Sequence, residues 1–305
     1  MGYGGALIWT AVIKNVKNQF PNKPIIFIYS HPFKAFLKGI KNADVTIYKN
    51  NPDIHKLIPS WRWAFLKFFF SKKYYVLNTN EGTIPFIEKD TPEKIFYKKG
   101  RNMVDYINES LNINTSTYTP AIFLTEQEVN KAQNVLSKHN IKHFICIEPN
   151  SKDSFTPNKA WFWENWQELV NRILAFAEKE GIPLQIVQLS APNMPVLENV
   201  ITFSNQGLSF RECAHILKKS YFFVTYMGGL QHLHKAVGGK NINVISSFEP
   251  KELGTYTDDI NFYTDIECGN CGLKTPCPIN RKCMASISVD TVFDAVKTEL
   301  LQITK

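Results

Sequence analysis

Short apolar blocks alternate with longer amphipathic stretches along the chain, separated by polar or Pro- and Gly-bearing turns. Ile25 to Tyr29, Val45 to Tyr48 and Tyr74 to Leu77 read as buried strands of the parallel type. So do Phe144 to Ile147, Leu184 to Leu189, Phe222 to Thr225 and Asn243 to Ser246. Gly2 to Gly5 form a glycine-rich opening, and helical periodicity follows over Ala6 to Phe20. Further helices are expected at Arg101 to Leu111, Thr125 to His139, Trp163 to Glu180, Ser209 to Lys219, Gly229 to Val237 and Val289 to Ile303. Thr125 is placed to cap its helix, with Glu128 closing a capping box. Strands alternating with helices mean an α/β protein with parallel sheets. The pattern restarts after about residue 120, which predicts two Rossmann-like domains with a cleft between them. Ligands in such sheets sit at the carboxyl ends of strands, often on helix N-termini. The loops after Ile147, Leu189 and Thr225 are therefore where a site is expected.

Composition narrows the class. With 44% hydrophobic and 20% charged residues among 305, the chain can build a full core, which excludes a disordered, fibrous or disulfide-stapled protein. No apolar run approaches the roughly 20 residues of a membrane-spanning helix. Met1 to Thr10 show no charged n-region or cleavage pattern, so a cytoplasmic address is expected. The net charge of +8 is unevenly placed: residues 1–125 hold 17 Lys and Arg against 8 Asp and Glu, while the remainder is nearly neutral. Such a field attracts acidic partners, either phosphorylated substrates or anionic lipid. Nucleic acid is not expected, because no zinc-finger spacing, ribonucleoprotein motif or basic heptad region is present. The aromatic and lysine-rich stretch Trp61 to Lys73 reads either as a face lying on an anionic membrane or as a core helix with a basic outer side.

Three segments carry candidate chemistry. After Ile147, the loop Glu148-Pro149-Asn150 continues through Ser151, Ser154 and Thr156 to Lys159 and a helix start; hydroxyls, backbone N–H groups and a lysine there suit a pyrophosphate, or else form an ordinary solvated loop. Met227-Gly228-Gly229 opens the next candidate, where two glycines let backbone approach a ligand at a helix N-terminus. His232 lies in the first turn and would donate to a phosphate oxygen, an adjacent anion raising its pKa; a satisfied surface histidine is the alternative. The third is Cys268-x2-Cys271-x5-Cys277-x5-Cys283 on a Gly- and Pro-broken loop. Four thiolates so close suit tetrahedral zinc or iron, or else remain reduced thiols or an oxidation-prone pair. Cys146 and Cys213 read as core residues.

Taken together, order and spacing resemble glycosyltransferase family 9, the ADP-heptose–lipopolysaccharide heptosyltransferases, over nearly the whole chain. Gly4-Gly5-Ala6-Leu7 through Phe20-Pro21 is similar to the family's opening turn and helix. Lys159, Trp161 and Trp166 match its K-x-W segment, and Gly207 to Glu212 its G-x-x-S-L-x-E. Met227 to Ala236 resemble D-S/T-G-x-x-H-x-A-A, and the four cysteines with Met284 match its C-x-x-C…C…C-M. The resemblance implies a GT-B-like fold: an acceptor-binding domain over residues 1–122, a nucleotide-sugar domain over 123–287 with the Cys-rich loop 268–283, and a helix over 288–305 crossing back to the first domain. It further implies an inverting glycosyltransferase moving a sugar from a nucleoside diphosphate to an acidic cell-envelope glycan or glycolipid, working in the cytoplasm or peripherally on the inner membrane face.

In that reading Lys159, Ser151, Gly228, Gly229, His232 and Met227 line the donor site. No cofactor serves the chemistry, and any zinc or iron on Cys268, Cys271, Cys277 and Cys283 is structural. The chain also departs from the pattern. The acid of the opening turn is Gly5, the donor-contacting Asp is Met227, and the ribose-contacting carboxylate falls near Met194, with Glu198 as a stand-in. For the general base Glu81, just after the strand at Tyr74 to Leu77, is the candidate; a solvated loop acid is the plainer alternative. The family's strand ahead of the opening turn is also absent, which predicts a sheet short of ladder hydrogen bonds. With two family carboxylates gone, the competing expectation is a non-catalytic relative that binds a nucleotide-sugar or glycan as a partner subunit.

Overall fold

The computed structural model describes residues 2–31, 34, 37–38, 43–66, 73–79, 84–150 and 155–303. Helix α1 (Tyr3–Gln19) starts within the glycine-rich opening, so Gly4 and Gly5 belong to its first turn. Its apolar face, from Ala6 to Val16, is buried. Three parallel strands follow, β1 (Ile25–Tyr29), β2 (Ile54–Pro59) and β3 (Tyr75–Asn78), in the order β2-β1-β3. The ladder of this sheet is closed: β1 pairs with β2 on one side and β3 on the other, with Tyr75 N donating to Pro24 O at 3.0 Å. Direct pairing of β1 with β3 removes the expected shortage of ladder bonds among the described residues.

Val45 to Tyr48 is not a strand. Ala43–Tyr48 forms a 3-10 helix packed against α1, and the Tyr48 ring lies 4.4 Å from that of Phe27. A four-residue apolar run does not separate a strand from a buried helical turn. The sequence pattern also missed β2, which buries little beyond Ile58. Helix α2 (Ser60–Leu66), an antiparallel hairpin of β4 (Ile87–Asp90) and β5 (Ile95–Tyr97), and helix α3 (Met103–Ser110) complete the N-terminal part.

Helix α4 (Glu126–Lys138) has the expected capping box of Thr125 and Glu128. The second sheet holds β6 (Phe144–Ile147), β7 (Gln185–Gln188), β8 (Ile201–Thr202), β9 (Phe223–Thr225), β10 (Asn241–Ile245) and β11 (Ile260–Tyr263). All are parallel, in the order β8-β7-β6-β9-β10-β11. Helices α5 (Trp163–Lys179), α6 (Phe210–Lys219) and α7 (Gly229–Ala236) make crossovers. Strand order reverses between β6 and β9, the arrangement that in open α/β sheets leaves a crevice at the strands' carboxyl ends.

After a short α8 (Lys282–Ala285), α9 (Val289–Ile303) packs on α5 and β10. The helix expected to cross back to the first domain thus makes its main contacts within the second. Val292, Val296 and Leu300 form a stripe buried in one core with Leu169 and Ile173.

The two sheets are joined through α1, which touches α7; one apolar core runs from Phe27 through Leu7 to Phe223 and Leu233. A polar clamp adds to this. Arg211 of α6, 4% exposed, meets both oxygens of Glu128 at 2.6 and 2.9 Å and donates to Thr46 O at 2.9 Å and Phe123 O at 2.6 Å. No helix among the described residues is long and apolar enough to cross a membrane.

Candidate functional site

At the crevice the chain places Glu148, one residue past β6, beside Thr225, the last residue of β9. Thr225 Oγ1 donates to Glu148 Oε2 at 2.7 Å, and Glu148 N to Val224 O at 3.0 Å. Burial pushes the Glu148 carboxyl up to about 8, against the smaller opposing effect of the Thr225 hydroxyl. The group is therefore mostly protonated at neutral pH.

From Thr225 the chain runs through Met227 into α7, capped by Gly228 in extended backbone with no side-chain acceptor on the first-turn N–H groups. The N-terminus of α1 lies directly opposite. It too lacks a side-chain cap and has no acid in its first turn. A Cβ added to Gly4 would sit 3.4 Å from Gly229 Cα and 3.2 Å from His232 Cδ2, so backbone meets backbone here. Each helix end carries about half a positive charge and orphan N–H donors. Two such ends brought together present the kind of donors that an anion requires.

His232 is 5% exposed and its Nδ1 is 2.8 Å from the Tyr256 hydroxyl. Burial, then the nearby Lys159 charge, pulls its pKa down to about 4. The ring is thus a neutral hydrogen-bonding partner rather than the surface imidazole of the plainer sequence reading. Met227 is buried too, its sulfur filling the space over Gly254, where a Cβ would come within 2.8 Å. Met227 brings no carboxylate to that position. Gly5 likewise brings no side chain to the α1 end.

Lys159 enters from the loop before α5 and forms an ion pair with Glu249, from the loop after β10. The rings of Phe155 and Phe248 lie 5.5 and 5.1 Å from its ammonium. Thr156 is not available to a phosphate: its hydroxyl donates to Leu273 O at 2.8 Å and is 1% exposed as a residue. Trp161 and Trp166 are core residues, stacked edge to face at 5.2 Å. Ser151, Ser154 and Glu81 lie outside the described residues. Glu198 is exposed, and its main chain is bound by Gln167 of α5 at 2.8 Å.

The cysteine loop proves to be the backing of this site. Asn158 Nδ2 donates to Leu273 O and Thr275 O at 2.9 and 2.7 Å, and Cys277 N donates to Asn158 Oδ1 at 3.0 Å. Asn270 N donates to Ser247 O at 2.7 Å and Gly272 N to Phe248 O at 2.8 Å. Gly272 has φ +59, and a Cβ there would fall 1.8 Å from Ile95 O; only glycine lets the loop lie against β5. All six cysteines are free thiols, and burial, followed by the neighbouring thiols, raises Cys271. Among the described residues no three His, Cys, Asp or Glu side chains converge to hold a metal ion. The four thiols are of the right chemistry for one, but their placement does not form a closed cage.

Sequence reasoning missed Glu249 and Tyr256 altogether and passed over the Glu148 side chain. A buried acid at the end of a central strand is a usable signal, and Glu148 was visible as one. Glu249 and Tyr256 lie in an irregular segment whose partners are some 90 and 24 residues away.

No family model and no curated protein matches the chain. Solved structures do. A glycosyl transferase family 9 protein from Veillonella parvula is 18% identical, with 99% of this chain and 95% of that one covered, at a TM-score of 0.69. The Escherichia coli ADP-heptose LPS heptosyltransferase II is 13% identical over 99% and 97%, at 0.60. The iron-containing dodecameric heptosyltransferase TibC of enterotoxigenic Escherichia coli, in complex with ADP-D-β-D-heptose, is 13% identical over 92% and 77%, at 0.57. By fold, then, the chain is a GT-B-like α/β protein with two parallel sheets, similar over nearly its whole length to solved family 9 glycosyltransferases.

Proposed function

We propose that the protein is a glycosyltransferase that binds a nucleoside-diphosphate sugar and passes the sugar, with inversion, to an acidic cell-envelope glycan or glycolipid. The observation that carries this reading is the meeting of two uncapped helix N-termini at Gly4 and Gly229, within electrostatic reach of Lys159. A leaving diphosphate needs donors already in place, and N–H groups, an ammonium and a neutral imidazole supply them. Heptosyltransferases of this fold have been solved with ADP and ADP-heptose, which supports an anionic nucleotide as ligand. Glu81 is our candidate to take the acceptor hydroxyl proton. With Met227 in place of a carboxylate, sugar hydroxyls lose an acceptor, so ADP-heptose is expected to be a poor donor.

The test is a thermal-shift screen with ADP, GDP, UDP and CMP sugars, since binding raises stability by mass action. Lys159→Ala should weaken nucleoside diphosphate binding by about 1.5–3 kcal/mol, the range for a charge-assisted hydrogen bond. Glu81→Gln should keep binding and lose turnover. Equal binding by the parent and Lys159→Ala removes the donor-site assignment. Binding without turnover in the parent itself favours the non-catalytic partner subunit, the reading that the missing carboxylates at Gly5 and Met227 support.

Two further parts of the proposal are separately testable. Leu37, Phe65 and Ile84, in the segments that follow β1, β2 and β3, are 66%, 74% and 53% exposed. Together with the basic surplus they support peripheral contact with anionic lipid. Binding to anionic vesicles should weaken with salt; equal binding to neutral vesicles would count against it. The cysteines, as a soft donor set, support one structural zinc or iron, drawn in by closure of the loop. TibC is described as iron-containing. Elemental analysis finding no stoichiometric metal, with four titratable thiols, would sink that part.

A further inference from the structure

We propose that Glu249 is a built-in counter-ion for Lys159, and that a diphosphate binds by taking the ammonium over from it. The proposal rests on the donor-site reading above. The two side chains are 16% and 6% exposed, and two phenyl rings cover the ammonium. A cation this far out of water needs an anionic partner, and Glu249 supplies it.

The pair is held in place from behind. Residues 270–277 bind both contributing loops, through Asn158, which is 4% exposed, on the lysine side and through Ser247 O and Phe248 O on the carboxylate side. Tyr97 of β5 adds its ring, 5.9 Å from that of Phe248. Neither group is a long surface side chain meeting its partner by chance. The loop after β10 that bears Glu249 also carries Gly254, against Met227, and leads to Tyr256, bonded to His232. Glu249 thus lies on the same loop as the residues that touch Met227 and His232.

A diphosphate brings like charge to Glu249 and competes with it for the same ammonium hydrogens. In this proposal the parent's affinity is what remains after that competition. Removing the charge while keeping the shape should then tighten phosphate binding. If Glu249 only orients the lysine, its removal should do the reverse.

Calorimetry with ADP, GDP, UDP and inorganic pyrophosphate separates these. Glu249→Gln, and Glu249→Met as a second variant that fills the space without a polar group, should bind about tenfold tighter than the parent, the lower end for a charge-assisted bond released to the ligand. Thermal melts without ligand establish that each variant is folded. A folded variant that binds like the parent, or more weakly, overturns the counter-ion role while leaving the donor site standing. Lys159→Ala binding as well as the parent removes the donor site, and this proposal with it.

Discussion

Arg211→Ala is expected to destabilise the fold by about 3 kcal/mol, and to do so at neutral pH far more than in acid. The guanidinium is buried and satisfies four acceptor positions: two oxygens of Glu128, Thr46 O in the N-terminal part and Phe123 O in the connecting segment. Truncation takes the arginine donor from Phe123 O and from Thr46 O, which keeps only Lys49 N at 3.3 Å, and leaves a carboxylate without a cation. Glu128 is 19% exposed, so water relieves part of the loss, and the low end of the range for breaking a buried pair applies. The Arg211 hydrogen bonds hold the Glu128 carboxyl down at about 2. A depressed folded pKa stabilises above the unfolded value of about 4.5, and that stabilisation is lost as pH falls through about 2. The gap between parent and variant, from urea melts, should therefore narrow between pH 6 and pH 2.5. A gap independent of pH would show that the ion pair is not its source. Arg211→Lys should recover little, because an ammonium cannot make the two-pronged contact with the carboxylate.

The clamp also shows what was legible in the sequence. Thr125 and Glu128 announce a capping box, and the structure has one. That the same carboxylate holds an arginine 83 residues later is a tertiary fact with no local signal. Long periodic helices and the continuous apolar strands of the larger sheet could be read directly, because burial on both faces forces unbroken Ile, Val and Phe runs. Strand β2 could not, since one side of it meets solvent. The 3-10 helix Ala43–Tyr48 mimics a strand because its apolar residues serve the core under α1. Of the site, Lys159, Gly229 and His232 were visible as types of residue at strand and helix ends. Their state was not: the neutral ring and the occupied ammonium follow from Tyr256 and Glu249, brought in by loops of no recognisable pattern. The cysteine loop was legible as four close thiols; its contacts with Asn158, Ser247, Phe248 and β5, which support the candidate site, were not.

Glu148→Gln is expected to stabilise the protein at pH 8 by on the order of 3 kcal/mol and to change it little at pH 5. Glu148 is 7% exposed at the point where strand order reverses, and its side chain accepts from the Thr225 hydroxyl. Its folded pKa, about 8, lies above the unfolded value of about 4.5. The sign is therefore opposite to that of Glu128. Stabilisation by the bound proton is complete below about pH 4.5 and is lost as pH rises through about 8. Each unit of displacement is worth about 1.4 kcal/mol, which bounds the whole effect near 5 kcal/mol. Glutamine copies the protonated acid in shape and still accepts from Thr225, so most of the slope should vanish. Melting temperatures of parent and variant from pH 5 to 8.5 should diverge steadily, with the variant higher. Parallel curves would mean that Glu148 keeps its proton affinity in the unfolded range, and a variant less stable at every pH would mean that the carboxylate is needed ionised. The chemistry of the site depends on which holds. A neutral Glu148 leaves the strand end three residues before Gly228 free of negative charge, as the proposed phosphate seat at the α7 end requires.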